Sequence, residues 1–157
     1  MKSYCLITLA ACLVLSACNK ENENPHSIEL TWTECASTKA GGTKGGTSAD
    51  TPAQLILEYT ESGLAVTLKN AEMNCAIKLN GIACDVSVDG NTIRYRVYEK
   101  DGPTANCFCK VEEMSSVVTG LKEGKEYTFN YSCSTFRAES FTFVFKKGLH
   151  LILDEDS

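Results

Sequence analysis

Residues 86–98 read Val86-Ser87-Val88-Asp89-Gly90-Asn91-Thr92-Ile93-Arg94-Tyr95-Arg96-Val97-Tyr98, and this stretch decides the fold class. Apolar and polar residues alternate on both sides of a turn at Val88-Asp89-Gly90-Asn91. Ile93, Tyr95 and Val97 fall on the same side as Val86, and Arg94 and Arg96 fall on the other. A period of two is that of a strand with one buried face. Working outward, Leu55–Tyr59 and Leu64–Leu68 flank a second turn at Glu61-Ser62-Gly63, while Tyr127–Cys133 and Ser140–Phe145 alternate aromatic with polar residues. Ile28–Trp32 reads as a further short strand. No stretch carries a convincing helical period. Seven to nine short strands in a chain of 157 residues predict an all-β sandwich.

Just upstream, Cys75–Val88 reads as a hairpin around Asn80-Gly81, a strong two-residue turn signal. That pairing turns Cys75, Ile77, Leu79, Ile82, Cys84 and Val86 to one side. The chain has nine cysteines. Cys5 and Cys12 fall in the apolar N-terminal segment and Cys18 at its end, which leaves six: Cys35, Cys75, Cys84, Cys107, Cys109 and Cys133. An even set in an exported chain reads as three disulfides. Cys107 and Cys109, two apart on one strand, cannot easily bridge each other. The expected pairing joins them to Cys75 and Cys84, with Cys35 bonded to Cys133. No Cys-x-x-Cys spacing is present, so neither a metal site nor a thiol redox motif is expected.

The N-terminus is an address. A positive start, Met1-Lys2-Ser3, precedes an apolar run from Cys5 to Leu15, too short to span a bilayer but of signal-peptide length. It ends in Leu15-Ser16-Ala17-Cys18, which resembles the lipobox of bacterial lipoproteins, where the cysteine is acylated and the chain is cut before it. Lys20 with Glu21 and Glu23 resembles the surface-export signal of Bacteroidota-type lipoproteins. The organisation expected is a signal peptide over 1–17, a flexible tether over 18–27, one sandwich domain over 28–153 and an acidic tail over 154–157. Within that domain, residues 36–53 have glycine and threonine but nothing apolar larger than alanine, and read as a mobile loop. Its Gly-Gly-Thr-Lys-Gly-Gly lacks the Gly-Lys-Ser/Thr of a phosphate loop.

Gly120-Leu121-Lys122-Glu123-Gly124-Lys125-Glu126-Tyr127 resembles the entry to the F strand of fibronectin type III and related immunoglobulin-like domains. That resemblance implies an immunoglobulin-like sandwich in which Leu121 packs in the core, Gly124 turns the chain and Tyr127 ties strand to loop. More broadly, Val66–Tyr131 resembles small Bacteroidota-type lipoproteins of unknown function, through Asn74-Cys75, Val86–Ile93, Cys107-Phe108-Cys109 and Gly120–Tyr127. The resemblance implies a lipid-anchored sandwich and brings no catalytic residue with it.

The net charge of −5 argues against a nucleic-acid partner, since no cationic excess exists to neutralise phosphates. The only histidines, His26 and His150, lie near the termini, and no acid pair such as Glu112/Glu113 or Glu58/Glu61 has a spacing that singles it out. The expectation is a non-enzymatic envelope lipoprotein without cofactor, exposed at the outer-membrane surface and binding a glycan or an envelope protein. A structural subunit of an envelope assembly is the alternative, and a hydrolase the more distant one. Surface aromatics would serve such binding, and Trp32, Tyr98 and Phe108 are the candidates.

Overall fold

The computed structural model describes residues 26–33, 35, 52–133 and 136–154. The signal segment, Cys18, residues 36–51 of the glycine-rich loop and the last three residues of the acidic tail lie outside the described residues.

The hairpin at 86–98 forms as its alternation requires: β5 (Ile82–Asp89) pairs antiparallel with β6 (Thr92–Glu99), Val86 opposite Tyr95 and Val88 opposite Ile93. Beside it lie β1 (His26–Ile28) on one side and β8 (Glu126–Cys133) and β9 (Phe136–Val144) on the other, in the order β1-β5-β6-β8-β9. The second sheet runs β10-β3-β4-β7-β2, built from β2 (Thr31–Trp32), β3 (Gln54–Thr60), β4 (Gly63–Asn74), β7 (Phe108–Val118) and β10 (His150–Asp154). The inward faces of the two sheets meet in one core, in which Leu57, Leu64, Val66, Leu68, Ile93, Val97, Met114 and Phe129 are fully buried. Tyr95 crosses that core from the first sheet, its hydroxyl 2.6 Å from the Ser116 hydroxyl of the second. A buried hydroxyl needs such a partner, and here each supplies the other's. The protein is therefore an all-β, two-sheet sandwich.

Ile28–Trp32 is not one strand. The chain pairs with β5 as far as Ile28, crosses between the sheets at Glu29-Leu30, and pairs with β7 through Thr31 and Trp32. The strand region also begins two residues before the expected boundary at 28 and runs one residue past 153. β10 escaped the sequence reading, and β7 was read only at its start, around Cys107 and Cys109. In β7 the spacing of buried residues slips from two to three at Val111–Met114, leaving Glu112 and Glu113 both exposed. Its neighbour slips at the same level, from Leu68 to Ala71, around Asn70 with φ of 56°. The matched slips keep the strands in register while breaking the period that sequence reading depends on.

The expected hairpin around Asn80-Gly81 is overturned. After β4 the chain makes a single helical turn, α1 (Ile77–Asn80), and Gly81 closes it at φ of 75° with its N–H donating to the Ile77 carbonyl. Asn-Gly serves a helix C-terminus as readily as a hairpin, because both need a left-handed residue. The flanking strands belong to different sheets, so they cannot pair. As a result Leu79, placed in the core by the hairpin reading, is 81% exposed, whereas Ile77 is buried.

A bond from Cys75 to the Cys107/Cys109 pair forms as expected, and the rest of the disulfide pairing is corrected. Cys75 bonds to Cys107, with Cα atoms 5.6 Å apart, and Cys35 bonds to Cys109 across 5.7 Å. The first extends the β4–β7 ladder by one residue, the Cys75 N–H donating to the Cys107 carbonyl. The second pins the chain leaving β2 to the start of β7. Cys84 and Cys133 are buried and free rather than bridged. Both stand opposite Val97, one on each neighbouring strand. Two strand spacings of about 4.8 Å separate them, beyond the reach of a disulfide.

Candidate functional site

The outward residues of β6, β8 and β9 build a polar face. Arg94 stands opposite Asn130, and Asn130 opposite Ser140; Arg96 stands opposite Asp85 on one side and Ser132 on the other. Strand alternation sends all of these to solvent because Tyr95, Val97, Phe129 and Tyr131 go to the core. Between them lies a shallow trough of about 440 Å³, lined by Arg94, Arg96, Asn130, Ser132, Ala138 and Ser140. The Ser140 hydroxyl donates to Asn130 Oδ1 at 2.7 Å, which fixes the amide with its oxygen towards β9. Glu139 also lines the trough and stands in register with inward-facing Tyr131.

Of the three aromatic candidates, Tyr98 lies on this face. The Arg96 guanidinium sits over its ring, 4.8 Å from the centroid. Its hydroxyl bonds to Asp85, which is the chief cause of a raised phenol pKa and holds the ring as a neutral donor. Trp32 is different: it stands in register with inward-facing Met114 and packs partly buried against the core. Phe108 is 67% exposed and belongs to neither place.

Phe108 sits at one end of the sandwich, where the β4–β5 and β6–β7 connections are clamped together. Besides the Cys75–Cys107 bond, Asn74 ties them by accepting the Ala76 and Ala105 N–H groups on Oδ1 and donating from Nδ2 to the Ala105 carbonyl. Asn80 donates to the Pro103 carbonyl at 2.8 Å. Leu79 and Phe108 are thus large apolar side chains held out on a braced support.

The titratable residues named from the sequence lie on different parts of the sandwich. His150 is not outside the strand body as its sequence position suggests: it opens β10, and Nδ1 lies 2.6 Å from Glu58 Oε1 on the outer face of the second sheet. Glu112 and Glu113 are exposed neighbours. Among the described residues no group of three or more His, Cys, Asp or Glu side chains is placed to hold a metal ion, and no helix is long and apolar enough to cross a membrane. The buried Cys84 thiol, hydrogen-bonded to Tyr95, has its pKa pushed up to about 11 by burial, the opposite of what activates a nucleophile. Cys18 lies outside the described residues.

Sequence reading had singled out Tyr98 but not the trough beside it. The signal was there: only three of the fifteen basic residues are arginine, and two of those three are Arg94 and Arg96. No protein-family model matches this chain, and no curated protein or solved structure matches it.

Proposed function

We propose that the protein is a lipid-anchored envelope protein, attached through Cys18 at the outer-membrane surface, whose folded part is a non-catalytic binding module. The observation that carries the binding reading is the polar face with its trough and adjoining Tyr98–Arg96 stack. Flat strand faces of this kind offer several hydrogen-bonding groups and an aromatic plane at fixed spacing, which suits an extended glycan. The sandwich itself is of immunoglobulin-like kind on this reading. In support, Tyr127 accepts the Lys122 N–H at 2.9 Å, Leu121 packs against the core, and β3-β4-β7 matches the A-B-E order of such domains. The first sheet is rewired: β6, not β5, lies against β8 and runs parallel to it.

Binding of detergent-solubilised protein to a glycan array tests the reading. Selective binding that Tyr98→Ala weakens without lowering the melting temperature supports it. Turnover of a bound glycan, or no binding to any glycan or envelope protein, defeats it. The exposure of Leu79 and Phe108 favours a second reading, a subunit of an envelope protein assembly. Co-purification of one envelope protein, lost in Phe108→Ser but kept in Tyr98→Ala, would favour that one.

A further inference from the structure

We infer that the trough on β6, β8 and β9 is a site for an acidic saccharide, one bearing carboxylate or sulfate groups, held by Arg94 and Arg96. The inference rests on the binding-module reading and names its ligand class. Arg94 and Arg96 project from the same face of one strand, two residues apart, so their stems are separated by about 7 Å. Both are exposed, and Asn130 stands beside Arg94 in register with its amide oxygen already engaged by Ser140. The side of the amide facing β6 is therefore the N–H₂ side. Two guanidinium forks and an amide donor point into one trough, and hydroxyls of Ser132 and Ser140 border it.

The residue choice is informative because the rest of the chain uses lysine. Twelve lysines serve its other basic positions apart from Arg137. Lysine is a hydrated point charge, whereas the planar fork of arginine binds carboxylate or sulfate oxygens in pairs. Three carboxylates lie near the pair: Asp85, which stands opposite Arg96 and bonds to the Tyr98 hydroxyl, Glu139 in the trough lining, and Asp89. Asp89 approaches Arg94 only at 3.9 Å between two exposed side chains, a contact of small worth. Arg96 leans on the Tyr98 ring, which orients the guanidinium while leaving its edge N–H groups able to donate. The molecule as a whole carries −5, so a polyanion is repelled in general and must be captured by this local array.

The test is titration of the full protein in neutral detergent with oligogalacturonate, with dextran sulfate and with an uncharged galactan oligomer. The two acidic arms separate carboxylate from sulfate as the preferred group. The expected result is saturable binding to an acidic arm, weakened about ten- to a hundredfold by Arg94→Gln or Arg96→Gln. The Arg94→Lys/Arg96→Lys double variant should also lose about tenfold, since charge is kept but the fork is gone. Lys147→Gln, which changes net charge equally beyond the far end of β9, should bind as wild type. All variants should melt as wild type, because the changed side chains are exposed. Equal weakening by Lys147→Gln, wild-type binding by the double lysine variant, or equal capture of single-stranded DNA would reduce the effect to bulk charge and overturn the inference. Binding of the uncharged galactan that ignores both arginines would also overturn it, yet leave the binding-module reading standing. Binding of none of the three saccharides overturns it outright.

Discussion

Cys84 shows how burial sets the chemistry of a single side chain. Its thiol is enclosed and bonded to Tyr95, and burial pushes its pKa to about 11 from an ordinary value of 9.0. The fold therefore favours the neutral thiol. Its contribution is whole below pH 9 and is lost as the pH rises from 9 to 11, an effect on the order of 2 kcal/mol. Tyr95 and Tyr131, also raised by burial, add to that loss at higher pH. Urea midpoints measured from pH 8 to 11 should fall in the wild type, and Cys84→Ala should flatten the part that begins near pH 9. An unchanged slope would show that the thiol is not shielded. Tyr127 acts by a different route: its hydroxyl is the partner of the Lys122 N–H. Tyr127→Phe keeps the ring packing and removes that acceptor, and should cost about 1–2 kcal/mol in a denaturant titration.

Elements respond to what lies beyond them in the chain, and the two disulfides make this measurable. Cys75–Cys107 closes a separation of 32 residues and Cys35–Cys109 one of 74. Constraint of the unfolded chain alone gives each about 3–5 kcal/mol. Cys75→Ala/Cys107→Ala should therefore lower stability by several times the effect of Cys84→Ala, which removes only a small buried group. Near-equal losses would mean that the Asn74 hydrogen bonds already hold the clamped end. The same contrast explains what was legible in the sequence. β6, β8 and β9 could be read because each has one wetter and one dry face, so apolar and polar residues alternate. The arginine trough was half legible: alternation turned Arg94 and Arg96 outward, but Asn130 and Ser140 join them only through the parallel β6–β8 pairing. No local signal encodes that pairing. Disulfide partners were out of reach for the same reason, since Cys35 finds Cys109 only because the chain changes sheets at Glu29-Leu30. Asn80-Gly81 failed because its left-handed residue fits two local structures and tertiary context chose the helical one.

At the scale of the molecule, strand directions decide which end would face a membrane. β1 runs from His26, beside Val86, to Ile28, beside Cys84, and so heads towards the clamped end with Leu79 and Phe108. β1 accordingly begins on the opposite side, where the Glu61-Ser62, Gly90-Asn91 and Lys146–Gly148 turns lie. From Cys18 to His26 the backbone can span at most about 28 Å, even fully extended. An acyl anchor on Cys18 would then hold the turn end near the bilayer and present the clamped end to the exterior. Labels placed by Asn91→Cys and Leu79→Cys can read this in vesicles carrying a lipid-bound quencher, because the native Cys84 and Cys133 are buried and should not react. The label at 91 should be quenched more strongly than the label at 79. Cys18→Ser should abolish vesicle attachment and with it the difference between the two labels. Reversed quenching would put the clamped end on the membrane and make Phe108 a membrane contact. Retained attachment in Cys18→Ser would remove the anchor from that residue.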